Sequence, residues 1–571
     1  MTGSLKYDLE RSTGSRALRY RAGDGLRAWR AGLAPPPTAL HSMPQPQSFG
    51  DVARGRQLLA GLVRLDGEVV EAPGASLWDI LEGAKGPGAQ ALHGFKWLDD
   101  LAALGGPQAQ ALAQSWLSDW IARFGRGGGP GWTPDLTAQR IMRWIAHALF
   151  LLGGPGSSLS RAYFRALGQQ GVFLSHRWKT APSGRPRFEA LAGMIYAGMS
   201  LSGLEDSVAP AKAELDKVCA SEIDAQGALA TRNPEDLLEV LMLLTWAADA
   251  LEDRRETPGV EHVRAIARIA PTIRALRHSD GSLVRCHGGG RGTTGMLDEA
   301  LSRTGVTEVA SAPVVMGYAR LVGGGTSVIA DAAAPPIGAG TLTGHASTLA
   351  IEVTSGAFPL VVNCGAGTTF GPEWQRAARA TASHSTLSVE GTSSSRLTTR
   401  SKDPHAREVL ADIPTLVAAQ PFEDADTSGL LMTHNGYVPT HGLVHARHLT
   451  LSETGKVLEG SDTLAAAEPA AKLTCDRALA ATSGKGIPFS VRFHIAPGVD
   501  AELDMGGAAV SLVPENGEVW VFRAKGAAIS MAPSAFLERA RLKPRATKQI
   551  VLSGRLFGYS ADVRWSFTRI E

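Results

Sequence analysis

RAARATASHSTLSVEGTSSS, residues 376–395, decides how the second half of the chain folds. Leu387 and Val389 stand two residues apart, the spacing of side chains on one face of a β-strand. Alternation then sets His384, Thr386 and Ser388 together on the opposite face, which reads as a polar surface. The same period of two runs outward from about residue 305. TSVIADA, STLAIEV, FPLVVNC, RHLTLSE, KVLEGSD, AAVSLV, EVWVFRA, AAISMA and KQIVLSG all read as short strands, and PENG between AAVSLV and EVWVFRA is a hairpin signal. Many short strands joined by small turns predict an antiparallel β-sandwich.

Upstream the period is helical. In QALAQSWLSDWIARFG the residues Leu112, Trp116, Trp120 and Phe124 recur every fourth position, and Ile141, Trp144, Ile145 and Leu149 do much the same in DLTAQRIMRWIAHALFLL. FEALAGMIYAGMSL, PEDLLEVLMLLTWAADAL and VEHVRAIARIAPTIRAL continue the pattern. Asn233, Pro234, Glu235 and Asp236 supply a cap, a first-turn proline and two carboxylates for a helix start. Antiparallel helix pairs in a bundle or ring fit these segments. The expected division is an ill-defined segment over 1–50, a helical domain over 51–305 and a β domain over 306–571.

Composition excludes several classes. The 571 residues carry 57 basic and 55 acidic side chains, a balance of +2, so no strong field draws the chain to nucleic acid or an anionic membrane. Cys219, Cys286, Cys364 and Cys475 form no CxxC pair and no disulfide framework. No stretch is apolar over the length needed to span a bilayer. The first residues lack an apolar leader core, so a cytoplasmic location is the expectation and a periplasmic one the alternative.

GHASTLAIEVTSGAFPLVVNCG followed by RATASHSTLSVEG resembles the C-terminal β domain of the heparinase II/III-like polysaccharide lyases. GWTPDLTAQRIMRWI, VHARHLTLSETGKVLEGSDTL and KQIVLSG resemble further segments of that family. The resemblance implies an N-terminal (α/α) toroid followed by an antiparallel β-sandwich, with a site in the cleft between them. It also implies β-elimination on uronate-containing glycans. That chemistry needs a group to neutralise the uronate carboxylate, a base for the C5 proton and an acid for the leaving O4.

Residue by residue, the resemblance assigns His345, Asn363 and His384 to a zinc locus of some members, with Asn363 standing where they place an aspartate. An amide is a weaker ligand than a carboxylate. A hydrogen-bonded cluster is the other reading of the three. In the helical half, Arg185 and Pro186 stand where members carry an Asn–His pair, and Asp236 stands near their catalytic tyrosine. A re-equipped site would use Arg185 to grip a carboxylate and His384 as base, with Tyr437 or His441 as partner. Trp132, Arg140, Arg187 and Arg379 are candidate substrate contacts. The loop RHSDGSLVRCHGGGRG, 277–292, reads as exposed, with His287 and Arg291 able to meet an acidic glycan. A polysaccharide lyase is the first expectation. A non-catalytic glycan-binding protein in exopolysaccharide handling and a toroid glycoside hydrolase are the alternatives.

Overall fold

The computed structural model describes residues 15–34, 37, 40–42, 49–84, 86–153, 159–398 and 408–570. The chain divides into two compact units. The first holds residues 1–229, 236–271 and 292–308, and the second holds 230–235, 272–291 and 309–571. No described helix is long and apolar enough to cross a membrane.

The first unit is helical, with long helices at Gly106–Phe124, Pro134–Ala146, Leu159–Arg177, Arg185–Ser200, Val208–Glu222 and Pro234–Glu252. Its core is aromatic. The Phe95 ring lies 4.6 Å from Trp97, 5.3 Å from Trp144 and 5.8 Å from both Trp78 and Trp120. Edge and tilted packing of such rings adds about 0.5–1.5 kcal/mol per pair beyond area burial. Trp116 and Trp120 lie in this core, as their periodic spacing suggests. Leu149 does not: it is 76% exposed. The helix stops at Ala146 and restarts at Ala148, and the kink at His147 turns Leu149 off the apolar stripe. Helices Pro134–Ala146 and Arg185–Ser200 touch closely because Gly193 has no side chain; a Cβ there would sit 2.5 Å from that of Ala138. A small hairpin, Leu62–Leu65 with Glu68–Glu71, departs from the helical period of this half, although the Asp66-Gly67 pair at its turn is a hairpin signal.

The second unit is built on two large antiparallel sheets packed face to face, with a small two-stranded sheet, Arg396–Leu397 with Leu410–Asp412, beside them. One runs Val417–Asp424, Thr427–Tyr437, Leu443–Ser452, Val457–Ala465, Ser560–Ile570, Val519–Lys525, Ala509–Val513, Asp500–Asp504. The other runs Ala528–Phe536, Arg545–Leu556, Ile487–Ile495, Phe358–Val362, Ile351–Ser355, Thr326–Asp331, Tyr318–Gly323, Val314–Val315. Their inner faces share one core, in which Phe493 of the second sheet meets Trp565, Phe522 and Phe567 of the first at 4.7–5.4 Å. Helix Pro469–Ala481 interrupts the strands, an element that the period of two does not announce.

The stretch around His384 differs from its expected form. Only Leu387–Val389 is strand, and it lines the part of the Ile487–Ile495 edge that Phe358–Val362 leaves open. His384 sits earlier, closing the short helical turn Thr381–Ser383. His384, Thr386 and Ser388 are all buried, so the polar face is interior and not a wetted surface.

Candidate functional site

His384 belongs to a buried chain of polar groups inside the β unit. Its Nδ1 lies 2.8 Å from the Ala380 carbonyl, so that nitrogen carries the proton and Nε2 accepts. His345 Nδ1 donates to it at 3.0 Å. The His345 backbone N–H donates in turn to His287 Nδ1 at 3.1 Å, leaving the His287 proton on Nε2, 3.5 Å from Asp331 Oδ2. Asp331 also accepts from Ser347 Oγ and pairs with Arg232. Burial pushes His384 down to about 4 and holds His345 and His287 well below the ordinary histidine range. All three imidazoles are neutral at pH 7.

Asn363 is fully engaged beside this chain. Its Oδ1 accepts from Ser385 N at 2.9 Å, and its Nδ2 donates to Glu352 Oε1 at 3.4 Å. Burial alone would raise Glu352; Arg285, His278 and the Asn363 N–H outweigh it and pull the carboxyl down to about 2. Among the described residues no three of His, Cys, Asp and Glu are arranged to hold a metal ion. The trio His345, Asn363 and His384 therefore does not fit a zinc centre: two imidazoles bond each other, and the third member is an occupied amide.

The other β-unit candidates are also internal. Tyr437 is completely buried and donates to the Leu387 carbonyl at 3.0 Å, and burial raises its hydroxyl above the usual tyrosine range. Arg379 spends its guanidinium on the carbonyls of Gly344, Glu408 and Thr341 at 2.7–2.8 Å. His441 is half-buried at the end of the short helix Val438–His441, not on a strand face shared with His445. The 277–292 loop is largely interior, with His287 wholly buried and Arg291 exposed. What the sequence reading missed is the pair Arg447–Asp462. Arg447 forks onto Asp462 at 2.8 and 3.0 Å and reaches the Leu349 and Ser385 carbonyls at 2.9 and 2.8 Å, joining the two sheets.

In the helical unit Arg140 is wholly buried. It donates to Gln170, His93 O, Gly131 O and Thr137, and stacks 4.4 Å over Trp120. Trp132 is 3% exposed, with its Nε1 on the Phe124 carbonyl. Arg187 binds the Lys179 and Ala181 carbonyls and closes the preceding turn. These three hold the helices together instead of facing a ligand. Arg185 is the exception, its side chain 38% exposed. It meets Asp236 at 3.0 Å, Glu189 at 3.3 Å and Glu239, which also faces Lys96 at 3.7 Å. Burial pushes Glu189 up to about 7; Arg185 opposes this, and Asp135 and Glu239 add to it. Arg185 and Asp236, two of the positions at which the resemblance departs from the lyase pattern, thus meet in one carboxylate-rich cluster.

Residues 306–566, which build the sandwich, match the family model of the heparinase II/III-like C-terminal domain. The fold matches that of heparinase III over the whole of this chain and 92% of that one, with a TM-score of 0.65 at 11% identity. It also matches a mutant heparan sulfate lyase HepC from Pedobacter heparinus, over all of this chain and 91% of that one, with a TM-score of 0.55 at 12% identity. These likenesses show the shared fold, a helical toroid followed by a β-sandwich. In sequence the chain is 28% identical to FtsZ-localized protein C of Caulobacter vibrioides over 94% of its own length and 91% of that protein's.

Proposed function

We propose that this protein keeps the heparinase II/III-like fold without uronate β-elimination, and acts as a non-catalytic component at sites marked by FtsZ. The observation that carries the first part is the state of Arg185. The cation available to neutralise a uronate is already paired with Asp236, Glu239 and Glu189. A uronate carboxylate entering there meets Asp236 and Glu239 as like charges, each opposing it by about 3 kcal/mol at ~5 Å and an effective dielectric near 20. The candidate base and acid add to the case, since the His384 and Tyr437 side chains are buried and bonded within the β unit. Similarity to FtsZ-localized protein C along nearly the whole chain supports the second part.

Two measurements test the reading. Purified protein mixed with a panel of uronate polysaccharides should give no rise in ultraviolet absorbance from unsaturated uronate. A fluorescent fusion should co-localise with labelled FtsZ. A rise in absorbance abolished by Arg185→Ala would restore the lyase assignment. A fusion spread evenly through the cell would remove the link to FtsZ.

A further inference from the structure

We infer that the β unit is held together without a metal ion at the position where the family resemblance sets zinc, and that Asn363 is the residue that decides this. Zinc is held by thiolates, imidazoles and carboxylates. Here the two imidazoles are joined by a proton, from His345 Nδ1 to His384 Nε2 at 3.0 Å, and the bond of His384 Nδ1 to Ala380 O at 2.8 Å fixes the tautomer in which Nε2 is the acceptor. To share a cation, both nitrogens would have to give up that bond and turn lone pairs to a common point. Asn363 would also have to release Ser385 N, which has its side-chain oxygen at 2.9 Å, in a region 2% exposed or less around Asn363, His384 and Ser385. An orphaned buried N–H is costly. The amide has a second task that a carboxylate cannot do, since its Nδ2 donates to Glu352. Asn363 therefore satisfies two groups by hydrogen bonding, as donor and as acceptor, where an aspartate would add charge and call for a cation.

The substitution Asn363→Asp reverses this logic. The retained oxygen can keep Ser385 N, the new one faces Glu352 as a like charge, and a divalent ion relieves the repulsion. The experiment measures zinc content after dialysis and melting temperature with and without chelator, for the full-length wild type and for N363D. The wild type should carry no zinc, and its melting temperature should not move with chelator or added zinc. N363D should melt lower than wild type without metal, take up about one equivalent of zinc, and recover several degrees on binding it; adding His345→Ala should abolish the uptake. Zinc retained by the wild type near one per chain, or a fall in its melting temperature with chelator, would overturn the inference. A folded N363D that takes up no zinc would overturn the role given to Asn363. If N363D does not fold, the wild-type chelator measurement still decides the first half.

Discussion

Asp462 shows how one side chain can anchor a buried cation. It accepts from Arg447 and from Trp565 Nε1 at 2.9 Å, and it faces His445 Nε2 at 2.7 Å. Burial would raise its carboxyl, but Arg447 and His445 outweigh burial and hold it below the usual carboxylate range. Both Asp462 and Arg447 are 1% exposed or less, so neither charge has water to fall back on. Asp462→Asn leaves the Arg447 cation buried without a counter-charge, and should cost the β unit about 3–5 kcal/mol in denaturant unfolding. A loss under about 1 kcal/mol would mean that the hydrogen bonds alone suffice. Arg447 escaped the sequence reading for a plain reason. Alternation groups it with Leu443, Leu449 and Leu451, yet a charged residue is assigned outward by default when its partner is not visible.

Among the elements, the hairpin joining Ala509–Val513 to Val519–Lys525 was legible because its turn carries local chemistry. Gly517 N bonds the Pro514 carbonyl at 2.9 Å, and Gly517 has φ +79° with nothing within 4 Å of where a Cβ would sit. The glycine is needed for backbone conformation and not for space. Gly517→Ala should therefore cost about 1 kcal/mol through the left-handed φ alone, read as a shift in unfolding midpoint at unchanged slope. A neutral result would show that the turn relaxes to another geometry. The strand Leu387–Val389 is the contrasting case. Its apolar pair was read correctly, but its length is set by the gap left along Ile487–Ile495, which no local pattern encodes.

For the whole molecule, the two units should respond differently to acid. In the β unit, burial lowers His384 to about 4 and His494 to about 3, and lowers His287, His345 and His434 as well. As pH falls through about 6.5 the unfolded chain takes up protons that the folded unit refuses, so stability falls by ~1.4 kcal/mol per pH unit for each such histidine. In the helical unit, His93, lowered to about 3, and His262, also lowered, act in the same direction. Burial there also raises Glu189 to about 7 and Asp100 to about 6. Those carboxyls bind protons in the folded state first and gain stability as pH falls, offsetting the histidines. Amide hydrogen exchange, corrected for intrinsic rates, should show Leu443–Ser452 losing protection between about pH 7 and pH 5, the window in which unfolded histidines charge, while Gly106–Phe124 changes little. Loss in the helix first would contradict this account.

The sequence by itself determined the helical and β halves, the position of most strands and helices, and the likeness of the β half to the heparinase II/III-like C-terminal domain. These rest on period, turn chemistry and short motifs, all of which act between near neighbours in the chain. Tertiary structure alone decided which polar residues face water. His384, Asn363, Tyr437, Arg140 and Arg379 look like a site in one dimension because their types suit catalysis, and they are interior because distant partners satisfy them. Arg447 and Ser385 are 62 positions apart, and Arg232 and Asp331 are 99 apart. Alternation says which side chains share a face; only the packed fold supplies what covers that face and whether each buried donor finds its acceptor.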